Sequence, residues 1–145
     1  MRFKKLTPDA ITPTRGTTHA AGLDLYALRT TLLPPNEPTM VHTGIAVEIP
    51  EGYVGLLFAR SSMGHCGVSM TNAVGVIDAD YRGEIMLSLR YTSGGYGLYN
   101  VSHGIAKGER IGQLVVVPAP LFELEEVEEL SETARGEGGF GSTGK

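Results

Sequence analysis

Two aspartates one residue apart, in "TNAVGVIDADYRGE", are the first candidates for chemistry. A carboxylate beside a turn and a pocket can act as a general base and draw a proton from water. If the stretch is extended, Asp78 and Asp80 face the same way and repel; if it turns, they part. An exposed hairpin turn would use the same "DADYRG" residues, so the residues alone leave both readings open. A third aspartate, Asp24 in "AAGLDLYA", stands between two leucines on an expected strand. A carboxylate there is costly unless paired, and turn capping after Gly22 is the alternative. "FARSSMG" offers a different chemistry: Arg60, then Ser61 and Ser62, suits phosphate oxygens, since a planar donor fork is followed by two hydroxyls. The serines suit a helix N-cap equally. In "KGERIGQL", Gly108-Glu109 makes a turn, Arg110 begins a strand, and Gln113 within it is a weak signal.

The C-terminal stretch "ARGEGGFGSTGK" has the composition of a flexible tail. Its end resembles the phosphate loop G-x-x-x-x-G-K-[ST], from Gly139 to Lys145. No strand leads into it, no hydroxyl follows the lysine, and no helix receives the phosphate, so that mechanism is rejected. The four histidines are scattered without zinc spacing.

The elements that must position these residues read as strands. "TMVHTGIAVEIP" is β-branched and closes at Pro50-Glu51-Gly52. "YVGLLFA" has strand length. "EIMLSLRY" alternates, with Ile85, Leu87, Leu89 and Tyr91 on one face. "RIGQLVVVP" stops at Pro118, and "LFELEEVEEL" opens with alternation at Phe122 and Leu124. The one helix candidate is a turn or two at Ser61–His65. Turn residues recur roughly every ten positions, which predicts an all-β fold: a sandwich, jelly roll or barrel with at most one short helix. The 145 residues fit one β domain over 1–130, with a flexible arm over 131–145. A net charge of -4 argues against nucleic-acid binding, and no stretch nears a membrane span. A single cysteine, Cys66, and no signal-peptide pattern suit the cytoplasm, or the host cytoplasm for a viral protein.

Taken in order, "AGLDLYA", "ARSSMG", "NAVGVIDADYRGE", "GERIGQL" and "RGEGGFGSTG" resemble the five motifs of the trimeric all-β dUTPases. They run from Ala21 to Gly144. Ala59 stands where glycine or proline is common, and Gly112 where alanine is common; both are small, so little effect is expected.

The resemblance implies a jelly-roll-like β domain that hydrolyses dUTP to dUMP and pyrophosphate. That reaction limits uracil in DNA and supplies dUMP for thymidylate synthesis. Asp78 would be the base for water attacking the α-phosphorus. Mg²⁺ would ride on the substrate phosphates, with Asp24 touching it only through water. Arg60, Ser61, Ser62 and Gln113 would grip the phosphates. Uracil would sit in the hairpin Met70–Glu84, read by Asn72 and the backbone around Gly75, Val76, Ile77 and Met86. Tyr81 would stack under the deoxyribose and block a 2′-hydroxyl. Arg135 would pair with the γ-phosphate, Phe140 would cover the uracil, and Gly141, Ser142 and Thr143 would close on the phosphates. The resemblance also implies a homotrimer with sites shared between chains. A dCTP deaminase of the same fold is the rival enzyme, with Glu84 the only candidate acid for deamination. A nucleotide-sensing protein on this scaffold is the non-enzymatic rival.

Overall fold

The computed structural model describes residues 1–92 and 101–139, which hold ten strands and one short helix. One antiparallel sheet has the order β1 (Arg2–Lys5), β4 (Pro38–Glu48), β8 (Glu84–Tyr91), β6 (Val68–Met70). The second has the order β2 (Leu23–Tyr26), β10 (Arg110–Pro118), β5 (Tyr53–Ala59), β7 (Gly75–Ile77). A third, two-stranded sheet pairs β3 (Thr31–Leu33) with β9 (His103–Ile105). The sheets do not close into a barrel, and their inner faces meet over a shared core.

That core follows from alternation. Strand β8 buries Ile85, Leu87 and Leu89 completely, while Glu84, Met86 and Ser88 stand half-buried on the other face. Beside them on the same sheet lie Val41, Ile45 and Val47 of β4, and the other sheet contributes Leu57 of β5 and Ile111 and Leu114 of β10. Each fully buried Leu or Ile contributes about 1.5–3 kcal/mol against exposure. Tyr91, at the end of β8, packs against this cluster half-buried.

The bounds expected for β5, β8, β10 and the helix α1 (Ser61–His65) are those observed. Three details differ. The N-cap of α1 is Arg60, not a serine, and no side chain caps it. "LFELEEVEEL" forms no strand: Leu121, Phe122 and Leu124 are 91%, 82% and 100% exposed. Both edges of β10 are already paired, and the described stretch beyond Pro118 joins no sheet. The stretch Met70–Glu84 is not one paired hairpin either, because β6 joins β8 while β7 joins β5 in the other sheet. The chain crosses between sheets at the turn after Met70, where Ala73 adopts a φ of 56°.

Strand β4 carries a bulge. His42 pairs with Met86 and Ala46 with Glu84, so Thr43, Gly44 and Ile45 stand opposite Ile85 alone. Gly44 has a φ of +69°, a left-handed conformation glycine adopts without strain. Gly112, by contrast, is held by space. A Cβ there would lie 2.5 Å from Leu87 Cδ2 and 2.8 Å from the Phe58 carbonyl. Glycine at this position, where alanine is common, therefore fits the packing of this chain.

Candidate active site

Asp24 is buried on β2, next to the backbone bridge between residues 14 and 24. Its backbone N–H donates to the Thr14 carbonyl at 2.7 Å. The carboxylate is held by two arginines: Arg60 Nη1 contacts Oδ1, and Arg110 Nη1 donates to Oδ2 at 3.3 Å. Turn capping after Gly22 is thereby corrected; the group is a paired strand carboxylate. Opposite charge on each oxygen offsets the desolvation that makes a lone buried carboxylate unfavourable.

Register brings the rest. Gln113 of β10 faces Asp24 of β2, and Ala59 at the end of β5 faces Gly112. Arg60 then leaves β5, with its N–H donating to the Ile111 carbonyl at 3.2 Å. The Gln113 side chain lies against Gly22, where a Cβ would meet its Oε1 at 2.5 Å. Arg15 Nη1 donates to the Ala20 and Ala21 carbonyls and holds the loop that forms the far wall. The result is a cleft of about 270 Å³ lined by Gly16, Ala20, Gly22, Asp24, Arg60, Ser61 and Gln113. Its floor is a buried carboxylate, its rim guanidinium, hydroxyl and amide donors. Such a rim suits an anion with several oxygens. Ser62 is exposed one residue beyond the cleft.

Nothing in the local sequence marks Arg110 as a site residue. The sequence marked it as the start of a strand, but only strand pairing brings position 110 to position 24.

Asp78 lies elsewhere. The stretch turns: the Tyr81 N–H donates to the Asp78 carbonyl at 3.2 Å, so Asp78 and Asp80 lie in a turn and not along one extended strand. Arg82 Nη1 donates to the Ala79 and Tyr81 carbonyls at 2.6 and 3.0 Å and fastens that turn. The Asp78 carboxylate makes no hydrogen bond or ion pair among the described residues. It borders a separate cleft of about 920 Å³, with Glu48, Tyr53, Val54, Asp80 and Arg82 among its walls.

Strand β5 measures the separation. Gly55 pairs with Ile77 of β7, which sets Asp78 beside Val54; Arg60, the first residue past the other end of β5, lies six positions further along the chain. At about 3.3 Å per residue the two ends are roughly 20 Å apart. One chain does not bring Asp78 to the anion cleft.

The uracil-reading residues are also dispersed. Gly75 is buried, Val76 is exposed and Ile77 half-buried on β7, while Met86 sits on β8 in the other sheet, paired with His42. Asn72 is exposed on the turn between β6 and β7. Neither cleft is lined by these residues or by Tyr81. Arg135 is exposed, its Nε donating to the Gly138 carbonyl at 2.8 Å. Phe140, Gly141, Ser142 and Thr143 lie outside the described residues.

Glu84, the acid a deaminase would need, is occupied. Its Oε2 lies 2.9 Å from His42 Nδ1, and its Oε1 accepts the Gly44 N–H at 2.7 Å. Burial pushes its carboxyl up, but the bond from His42, those from the Gly44 and Thr43 backbone, and the His42 charge hold it below its ordinary value. A carboxylate engaged on both oxygens is a poor proton shuttle.

The family model described as dUTPase matches residues 9–144. A deoxyuridine 5′-triphosphate nucleotidohydrolase of Nautilia profundicola is 42% identical over all of this chain and 99% of its own. That of Hydrogenobaculum sp. is 45% identical over 97% of this chain and 95% of its own. Among solved structures, a mutant dUTPase of Staphylococcus bacteriophage 80alpha with dUpNHpp superposes with a TM-score of 0.89 at 34% identity, covering 99% of this chain and 98% of that one. A mutant dUTPase from phage phi11 of S. aureus, described with a structural Mg(II) ion, gives a TM-score of 0.79 at 30% identity, over 88% of this chain and 96% of that one.

Proposed function

Because the chain belongs to the dUTPase family and hydrolyses dUTP to dUMP, we propose that its catalytic site is divided between copies of the chain. The anion cleft of one copy holds the triphosphate, and Asp78 of another supplies the base. The observation that carries this is the span of β5, with Arg60 at one end and Asp78 beside the other. Exposed Leu121, Phe122 and Leu124 add apolar surface for such an assembly, in keeping with a homotrimer.

In this reading Arg60, Ser61, Ser62 and Gln113 bind the phosphates, and Arg60 exchanges part of its contact with Asp24 for a phosphate oxygen. Asp78 takes a proton from water as the water oxygen attacks the α-phosphorus. The bond to the bridging oxygen breaks, pyrophosphate leaves, and the proton remains on Asp78. Both Asp24 oxygens already face guanidiniums, so Asp24 would meet a magnesium ion carried by the substrate only through water. When bound, Mg²⁺ supplies neutralisation of the phosphate charge. Asn72 and the backbone at Gly75, Val76, Ile77 and Met86 read uracil, and Tyr81 lies under the deoxyribose. The β domain over 1–130 carries these groups. The arm over 131–145 closes on the substrate, with Arg135 on the γ-phosphate and Phe140, Gly141, Ser142 and Thr143 over the base and phosphates. An exposed Cys66 without a disulfide supports a reducing, cytoplasmic setting. Among the described residues no helix is long and apolar enough to cross a membrane. The reaction limits uracil in DNA and provides dUMP for thymidylate synthesis.

Asp78→Asn tests the base assignment. Calorimetry should show dUTP bound with near-normal affinity while pyrophosphate release disappears. Normal turnover in that variant would remove Asp78 from the mechanism.

A further inference from the structure

Glu84 joins two parts of the fold. Its carboxylate reaches into the β4 bulge, to His42 Nδ1 and the Gly44 N–H. The bulge is itself pinned, because the Thr43 hydroxyl donates to the carbonyl of Ile85, the next residue on β8, at 2.6 Å. A Cβ at Gly44 would lie 2.8 Å from that of Ala10, so the backbone there has little room to shift. In the other direction, the Glu84 carbonyl accepts the Tyr81 hydroxyl at 3.0 Å. The Tyr81 ring also lies against Gly83: a Cβ on Gly83 would meet ring carbons at 2.5 and 2.9 Å. Between the bare Cα of Gly83 and the carbonyl of Glu84, the ring has a defined seat.

The geometry points to Glu84 as a positioning residue: by fastening the start of β8 to the bulge through His42 and Gly44, it sets where the Tyr81 ring stands, and so the selection of deoxyribose over ribose. The selection clause rests on the reading that Tyr81 lies under the sugar. The ionised form of Glu84, favoured by the same contacts, is the form able to accept on both oxygens at once. Asp78 opens the turn that Tyr81 closes, and Arg82 fastens that turn without Glu84, through the Ala79 and Tyr81 carbonyls, so the effect falls on binding more than on the chemical step.

The test uses the full chain labelled with 3-fluorotyrosine, the Tyr81 resonance being assigned by its loss in Tyr81→Phe. Glu84→Ala removes both carboxylate bonds. Glu84→Gln keeps an acceptor for the Gly44 N–H and offers an amide N–H to His42. In Glu84→Ala the Tyr81 resonance should move, and KM for dUTP should rise about five- to tenfold with kcat within about twofold. The preference for dUTP over UTP should fall by a similar factor. Glu84→Gln should restore all of these to within about twofold. A folded Glu84→Ala protein with an unmoved Tyr81 resonance overturns the proposal, as does failure of Glu84→Gln to restore it. A resonance that moves while the dUTP-to-UTP preference stays fixed upholds the positioning role and refutes the sugar contact of Tyr81 instead. Should Glu84→Ala not fold, His42→Ala removes one of the two ties and is judged by the same resonance and the same ratio.

Discussion

Asp24 and Arg60 form an ion pair that is buried on one side and open on the other: the acid side chain is 7% exposed, the arginine 28%. The carboxylate therefore serves as an internal anchor, and the guanidinium presents its free edge to the cleft. Arg110 completes the charge balance from β10.

Asp24→Asn leaves two guanidiniums facing a neutral amide. Removing one partner of a buried pair costs up to about 3–5 kcal/mol, and the partial exposure of both arginines reduces this to about 1–3 kcal/mol here. Urea unfolding should show that loss, and KM for dUTP should rise as Arg60 loses its fixed direction. An unchanged unfolding midpoint and KM would mean that the pair organises nothing.

Glu84 predicts both selectivity and acid sensitivity. With its carboxylate committed to His42 and Gly44, incubation with dCTP and Mg²⁺ should release no ammonia, whereas dUTP should yield pyrophosphate far faster than dCTP, dTTP or UTP. Ammonia release would restore the deaminase reading.

The acid sensitivity has a definite sign. The Glu84 carboxyl is lowered from its ordinary 4.5 in the folded chain, so its stabilisation is complete above that value. It is lost as pH falls through the lower, folded value. The melting temperature of the native chain should exceed that of Glu84→Gln near pH 6, and the gap should narrow as pH falls below 4.5. A gap that is constant or widens on acidification would contradict the assignment.

Deleting residues 135–145 should leave the β domain folded and kcat lower by orders of magnitude. Ordering a free arm costs about 1–2 kcal/mol per residue, so the arm should engage only when substrate contacts offset that cost. Unchanged turnover in the shortened chain would exclude the arm from the site.

What the sequence disclosed depended on range. Alternation at Ile85, Leu87 and Leu89 is local, and it located β8 and its buried face. The five motifs likewise located Asp24, Arg60 and Gln113, which strand pairing then brings to one cleft. The pairing of Asp24 with Arg110 was hidden, because 86 positions separate them and only the β2–β10 register joins them. The sheet change between β6 and β7 was hidden as well, since three-residue strands carry too little pattern to name a partner. Phe122 and Leu124 misled for the opposite reason: their alternation is genuine, but the segment that carries it pairs with no strand among the described residues. Arg60 and Asp78 looked like neighbours in function, and β5 holds them apart.

The division of the site between copies is tested most directly by complementation. Arg60→Ala and Asp78→Asn proteins, each expected to be inactive alone, are unfolded together, reassembled and assayed for pyrophosphate release from dUTP. A site shared by two copies predicts recovery of roughly a quarter of native turnover after random mixing, because a native Arg60 and a native Asp78 then meet at some interfaces. Mixed assemblies that remain as inactive as either parent would show that both residues must lie on one chain, and the account would be wrong.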